Sequence, residues 1–181
     1  MKLDMFFPWK FVNSAYTIPY RLLYRAGYRG LIFDIDNTLT EHGAPADEKV
    51  RRLFRDLKEI GFTTCLVSNN RKERVKKLAD EVGSQYTWKA CKPLPSACRK
   101  AMGMMGTKPS RTLLVGDQLF TDIWCANWAG IRSILVRPIN PREEIQIVLK
   151  RRLEAPFLRA YVRKGLLRKK ETGKKRLKKT G

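Results

Sequence analysis

Between residues 30 and 136, short apolar runs alternate with longer amphipathic stretches, and the runs end in polar side chains. This rhythm limits the chain to few architectures. Apolar runs of four to eight residues read as buried strands, and the stretches between them read as helices. The predicted strands are residues 30–35, 62–67, 86–88, 112–115 and 133–136. The predicted helices are residues 46–60, 71–82, 95–105 and 121–129. In the first helix Val50, Leu53, Phe54, Leu57 and Ile60 share one face, and Gly61 ends it. Strands separated by such helices join through right-handed crossovers into a parallel sheet. The expected fold is α/β: a Rossmann-like three-layer sandwich with a five-stranded parallel sheet.

In open sheets of this class the chemistry lies beyond the carboxyl ends of the strands. Asp34 and Asp36 follow the first predicted strand, Ser68 and Asn69 the second, Lys92 comes shortly after the third, and Asp117 follows the fourth. Each residue alone has a plain structural reading as a turn, a cap or a surface lysine. Their convergence on one edge is the informative feature. Carboxylates gathered in one site repel unless a cation or proton separates them. An all-oxygen set without His or Cys suits Mg²⁺, which keeps several waters and a substrate phosphate. Lys92 suits an anionic substrate, and Ser68 and the amides around Asn69 can donate to phosphate oxygens. Such an ensemble performs phosphoryl transfer by positioning and charge stabilisation. A carboxylate such as Asp34 can serve as the nucleophile and form an aspartyl-phosphate.

Composition removes the main competitors. The 181 residues contain one histidine, His42, which argues against His-centred zinc sites and His-based hydrolases. No apolar run is long enough to span a bilayer, and the first residues carry no secretory signal pattern. The four cysteines, Cys65, Cys91, Cys98 and Cys125, form no CxxC pair and read as free thiols in a reducing compartment.

The motif residues resemble those of the haloacid dehalogenase (HAD) superfamily of phosphatases. Asp34-Ile35-Asp36-Asn37-Thr38-Leu39-Thr40 resembles the first motif and Ser68-Asn69-Asn70 the second. Lys92-Pro93 resembles the third, and Gly116-Asp117-Gln118-Leu119-Phe120-Thr121-Asp122 the fourth. Lys89 is an alternative third-motif lysine, although the proline after Lys92 favours Lys92. The resemblance implies that Asp34 attacks phosphorus and that Asp36 protonates the leaving oxygen and then activates water. It also implies Mg²⁺ held by Asp34, the Asp36 carbonyl and Asp117, with Asp122 supporting the metal shell. Thr38, Ser68, Asn69 and Lys92 would bind the phosphoryl group. The intervals from Asp34 to Ser68 and from Ser68 to Lys92 are too short for a substrate-selecting cap domain. A capless, open site suits a large substrate such as a protein, a nucleic-acid end or a membrane lipid. More narrowly, the chain resembles the YqeG family of capless HAD IIIA-type phosphatases. That family is similar to the mitochondrial HAD phosphatase acting on phosphatidylglycerophosphate, and the resemblance implies that activity here.

The flanking segments frame the choice of partner. The expected organisation is a lead-in over residues 1–29, a phosphatase core over 30–140, an amphipathic helical segment over 141–167 and a disordered basic tail over 168–181. The chain carries a net charge of +21, and more than half of the excess lies beyond residue 144. The lead-in sets Phe6, Phe7, Trp9 and Phe11 beside Lys10, a pattern suited either to a membrane interface or to covering the domain's own sheet edge. The basic tail suits an anionic lipid surface, nucleic-acid phosphates or plain solvation. The expectation is a cytoplasmic enzyme peripherally attached to an anionic membrane and acting on phosphatidylglycerophosphate. The alternatives are a phosphatase for soluble phosphomonoesters or nucleic-acid ends, and an RNA- or ribosome-associated factor that uses its tail.

Overall fold

A computed structural model describes residues 3–140 and 154–165 of the chain. Six strands form one parallel sheet: β1 (Lys10–Val12), β2 (Gly30–Phe33), β3 (Thr63–Val67), β4 (Gln85–Thr87), β5 (Thr112–Gly116) and β6 (Arg132–Val136). Their spatial order is β1-β6-β5-β2-β3-β4. The helices are α1 (Tyr20–Arg25), α2 (Glu48–Ile60), α3 (Lys72–Val82), α4 (Ser96–Met105) and α5 (Trp124–Trp128).

The two faces of the sheet follow from the two-residue period of a strand. Leu31, Phe33, Leu66, Leu113, Val115 and Ile134 point into a core shared with α1, α2 and α3. Ile32, Cys65, Val67 and Leu114 point to the other face, under α4 and α5. This gives three layers. Asp47 caps α2 by accepting the Val50 amide at 2.9 Å. Gly61 ends α2 in the left-handed region (φ 103°), with the Tyr24 ring against it; a side chain there would be strained and would collide.

Two features depart from the sequence reading. The expected five strands are six, because residues 10–12 add an edge strand that pairs with β6 at Lys10↔Ile134. The strand is three residues long and mostly exposed, so it has no apolar run to announce it. Phe6, Ala15, Ile18, Tyr20, Leu23 and Tyr28 are buried with it. Residues set apart as a lead-in thus complete the sheet edge and its covering. Second, the expected helix over residues 121–129 is a π-helical turn, Leu119–Ile123, running into the short α5.

The described residues fall into two units, 3–140 in the first and 154–165 in the second. Within the second, residues 154–165 are helical and Glu154 is buried. The start of the expected amphipathic segment, 141–153, and the basic tail, 168–181, lie outside the described residues.

Candidate active site

The strand order reverses between β2 and β5. From β2 the chain builds outward through β3 and β4, then returns to lay β5 on the opposite side of β2. A crevice opens at the carboxyl ends of strands at such a point. Phe33 pairs with Val115 and Leu66, so the residues just past β2, β5 and β3 stand side by side. These are Asp34, Asp117 and Ser68, and the Asp34 amide donates to the Val115 carbonyl at 3.0 Å.

Asp34, Asp117 and Asp122 are all buried, and one oxygen from each lies within 4.8 Å of the others. Lys92 enters from the loop after β4. Its side chain is 4% exposed, and its ammonium lies 2.5 Å from Asp34 Oδ1 and 2.6 Å from Asp122 Oδ1. Burial opposes its charge, but the carboxylates of Asp122 and Asp34 outweigh this and hold Lys92 protonated. Asp34 responds oppositely. Burial pushes its carboxyl up to about 7, against the pull of Lys92, with Asp122 and Asp36 adding to the rise. Three buried carboxylates facing one ammonium leave an excess of negative charge. The donor set is all oxygen, so it fits a hard divalent cation.

The loop after β2 sets the rest. Asn37 takes the left-handed backbone (φ 62°), which Asn tolerates, and turns the chain back. Thr38 Oγ1 then donates to Asp117 Oδ1 at 3.2 Å. Asp122 is held on the π-helical turn, where its Oδ2 accepts the Gln118 amide at 3.1 Å. A Cβ at Gly116 would lie 2.5 Å from the Asp122 carboxyl, so only glycine lets that side chain fold back over β5. Both Asp122 oxygens are thereby engaged, one by Lys92 and one by Gln118.

Each residue singled out from the sequence lies at this edge, but not all turn the same way. Lys92 meets Asp34, whereas Lys89 is exposed and lies over the Trp88 ring at 5.4 Å. The Ser68 hydroxyl accepts the Asn70 amide at 3.1 Å, leaving its proton to donate. The Asn69 side chain is spent on the Lys92 loop: Oδ1 accepts the Lys92 amide at 2.9 Å and Nδ2 donates to the Lys92 carbonyl at 3.4 Å. Asn69 can therefore offer a phosphate its backbone amide, not its side chain.

The Asp36 carboxylate lies outside the buried cluster. Its Oδ1 accepts from Arg74 Nη2 at 2.5 Å and from the Gly43 amide at 3.1 Å, and its Oδ2 accepts from Asn70 Nδ2 at 3.3 Å. Burial alone would raise its carboxyl, but the hydrogen bonds from Arg74 and the Gly43 amide, the Arg74 charge and the Asn70 amide together hold it below the usual range. Arg74 is the functional candidate that sequence reading missed. Its signal was its place in the first turn of the helix directly after Ser68-Asn69-Asn70.

Comparison with known proteins places this geometry. Residues 41–130 match the model for haloacid dehalogenase-like hydrolases. The chain is 34% identical over 166 residues to the Bacillus subtilis protein named "Probable phosphatase YqeG", covering 91% of this chain and 96% of that one. It is 30% identical to the Arabidopsis thaliana phosphatidylglycerophosphate phosphatase 1, chloroplastic/mitochondrial, covering 86% of this chain and 48% of that protein. The chain thus spans about half of that plant relative. An uncharacterized protein from Listeria monocytogenes shares the fold with a TM-score of 0.51, at 17% identity over 65% of this chain and 84% of that one. Full-length similarity to YqeG, the parallel sheet and the carboxylate-lined switch point lead to one conclusion: the chain belongs to the haloacid dehalogenase-like hydrolase family, with YqeG, and is a phosphatase of that family.

Proposed function

We propose that the protein is a Mg²⁺-dependent phosphatase that converts phosphatidylglycerophosphate to phosphatidylglycerol at a membrane surface through an aspartyl-phosphate. The observation that carries the chemistry is the buried meeting of Asp34, Asp117, Asp122 and Lys92 at the switch point. Asp34 and Asp117, with the Asp36 carbonyl, would hold Mg²⁺, which supplies charge neutralisation to the bound phosphate. Lys92, the Ser68 hydroxyl and the Asn69 amide orient the phosphoryl oxygens. An Asp34 carboxylate oxygen bonds to phosphorus as the bond to the leaving oxygen breaks, and Asp36 delivers a proton to that oxygen. Asp36 then takes a proton from water as the water oxygen bonds to phosphorus and the bond to Asp34 breaks. Inorganic phosphate leaves and Asp34 is restored.

Three observations support a lipid substrate. The plant relative named above carries phosphatidylglycerophosphate in its name. Between Asp34 and Lys92 the chain has room only for α2, β3, α3, β4 and their loops, so no cap domain is inserted there. The loops around that mouth expose Trp88, Leu94 and Ile139 beside the exposed cations Lys89 and Arg137. Apolar rings and cations together suit an anionic lipid interface. Among the described residues no helix is long and apolar enough to cross a membrane.

The test is phosphate release from phosphatidylglycerophosphate in anionic mixed micelles with Mg²⁺. A soluble phosphomonoester and a 3′-phosphorylated oligonucleotide run beside it, each with Asp34→Asn as control. Asp34-dependent turnover of the lipid far above the other two is the expected result. Turnover of either competitor without the lipid removes the lipid assignment and keeps the phosphatase.

A further inference from the structure

Arg74 offers more donors than its contacts use. Nη2 is taken by Asp36 at 2.5 Å and Nη1 by the Ala44 carbonyl at 3.2 Å. Its Nε is buried without a hydrogen-bond partner. A buried donor left unpaired is costly, so its retention calls for an explanation.

A cavity of about 430 Å³ opens beside it, walled by Ala44, Pro45, Arg74, Lys77, Leu78 and Glu81. Lys77 follows Arg74 by three positions on α3, so the two cations share a helix face. The acid in the wall, Glu81, is paired with Arg51 at 3.3 Å. Arg74, itself paired with Asp36, stands on the side of the cavity that adjoins that carboxylate, and the exposed Lys77 adds a second cation to the wall.

The position of Asp36 fixes what this cavity would meet. On the reading above, Asp36 hydrogen-bonds the leaving oxygen, within about 3 Å. Whatever the leaving alcohol carries emerges past Asp36, and Arg74 stands directly behind that carboxylate. In a glycerol headgroup bearing a phosphomonoester at one end and a phosphodiester at the other, five covalent bonds separate the leaving oxygen from the second phosphorus, about 6 Å when extended. One hydrogen bond to Asp36 and one more to Arg74 span a similar distance. Guanidinium is also the side chain best matched to a phosphate, with two parallel donors.

We infer that Arg74, with Lys77 beside it, forms a subsite for a second anionic group on the alcohol side of the substrate, a phosphodiester. Occupying it draws the guanidinium toward the diester and loosens its hold on Asp36, so that the carboxyl can take up from water the proton it passes to the leaving oxygen. The subsite thus selects substrates and positions the acid–base group in one event. It rests on the phosphatase reading above, but needs no membrane to act.

The experiment therefore uses soluble substrates with the full chain and Mg²⁺. Glycerol 3-phosphate carries the phosphomonoester alone; deacylated glycerophosphoglycerophosphate carries the same ester and the diester. The wild type is expected to favour the second by 10²-fold or more in kcat/KM. Arg74→Ala is expected to cut that preference at least tenfold, chiefly through KM, with Arg74→Lys restoring part of it and Lys77→Ala causing a smaller loss. Glycerophosphoglycerol, which has the diester and no cleavable ester, is expected to inhibit wild-type hydrolysis of p-nitrophenyl phosphate where glycerol does not. That arm needs no variant to fold. Equal use of both substrates by the wild type, or a preference that survives Arg74→Ala, overturns the subsite and leaves the phosphatase standing. Absence of Asp34-dependent hydrolysis in every arm overturns both.

Discussion

Asp34 and Asp36 are two residues apart on one loop, yet they live in opposite surroundings. Asp34 is sealed among Asp117, Asp122 and Lys92, and burial dominates its carboxyl. Asp36 faces a partly open rim, where Arg74, the Gly43 amide and Asn70 surround it with donors. One carboxyl is pushed up to about 7 and the other is held low. In the proposed mechanism both shifts would have to reverse for turnover: a cation beside Asp34 would restore its charge, and release from Arg74 would let Asp36 carry a proton. Attack on phosphorus would use the buried oxygen, and proton transfer the one nearer the rim.

Replacing the buried member tests this division most sharply. Asp34→Asn is expected to lower phosphate release by about 10⁴-fold or more, the scale of losing a nucleophile, with the circular-dichroism spectrum kept. A variant that still turns over would refute the aspartyl-phosphate route. Lys92→Ala strips the buried carboxylates of their ammonium. Activity should fall about 10²–10³-fold, the range for one lost charge-stabilising donor. Stability in metal-free buffer should fall about 3–5 kcal/mol, as when one partner of a buried pair is removed. Chemical denaturation with and without Mg²⁺ measures the second effect, which Mg²⁺ is expected to reduce.

The raised Asp34 carboxyl has a pH signature. Its folded value, about 7, exceeds its ordinary value near 4, so the folded state binds the extra proton between them. Without metal, its contribution to stability is greatest below pH 4, falls by a few kcal/mol as pH rises to 7, and stays low above. Denaturation midpoints from pH 4 to 8 should show that slope in the wild type and lose it in Asp34→Asn. A slope retained in the variant would assign it to another group. Gly116→Ala acts indirectly, by driving a methyl into the Asp122 carboxyl. It should cost about 1–3 kcal/mol, as overpacking does, and lower turnover with it. On the open side, Asn70→Ala removes one donor to Asp36 and should cost about 0.5–1.5 kcal/mol, with a small loss of activity.

The two sides were also unequally legible in the sequence. Asp34, Ser68, Lys92 and Asp117 each follow an apolar run or a proline-marked loop, and strand pairing brings them together with no special geometry. Strands β2 to β6 and the three longest helices announced themselves through apolar period and glycine stops. The partners of Asp36 did not, because they arise from side-chain reach. Arg74 sits 38 positions away on a helix whose charged residues look alike in sequence, and its reach to Asp36, with its partial burial, distinguishes it from the exposed Arg71 and Lys77. Asn69 shows the same blindness from the other direction. Its position was evident, but its side chain turned to the Lys92 loop. Strand β1 was invisible for another reason: none of its three residues is buried, and no α-helix precedes it to mark a strand–helix rhythm.

The π-helical turn before α5 has a consequence for how this chain can change. A wide turn holds one residue more than the α-helix it continues into, and such turns gather at functional sites. Here the Asp122 and Ile123 amides both reach back to the Gln118 carbonyl, while Trp124–Trp128 go on in ordinary register. Deleting one residue between 119 and 123 would let the segment relax into regular helix. The residues on the two sides of the deletion would then turn relative to one another by about 100°, one residue's share of a 3.6-residue turn, and Asp122 would shift relative to Lys92. Selection for a better helix and selection for the site pull in opposite directions at this turn. The spare residue and the Asp122–Lys92 contact therefore stand or fall together.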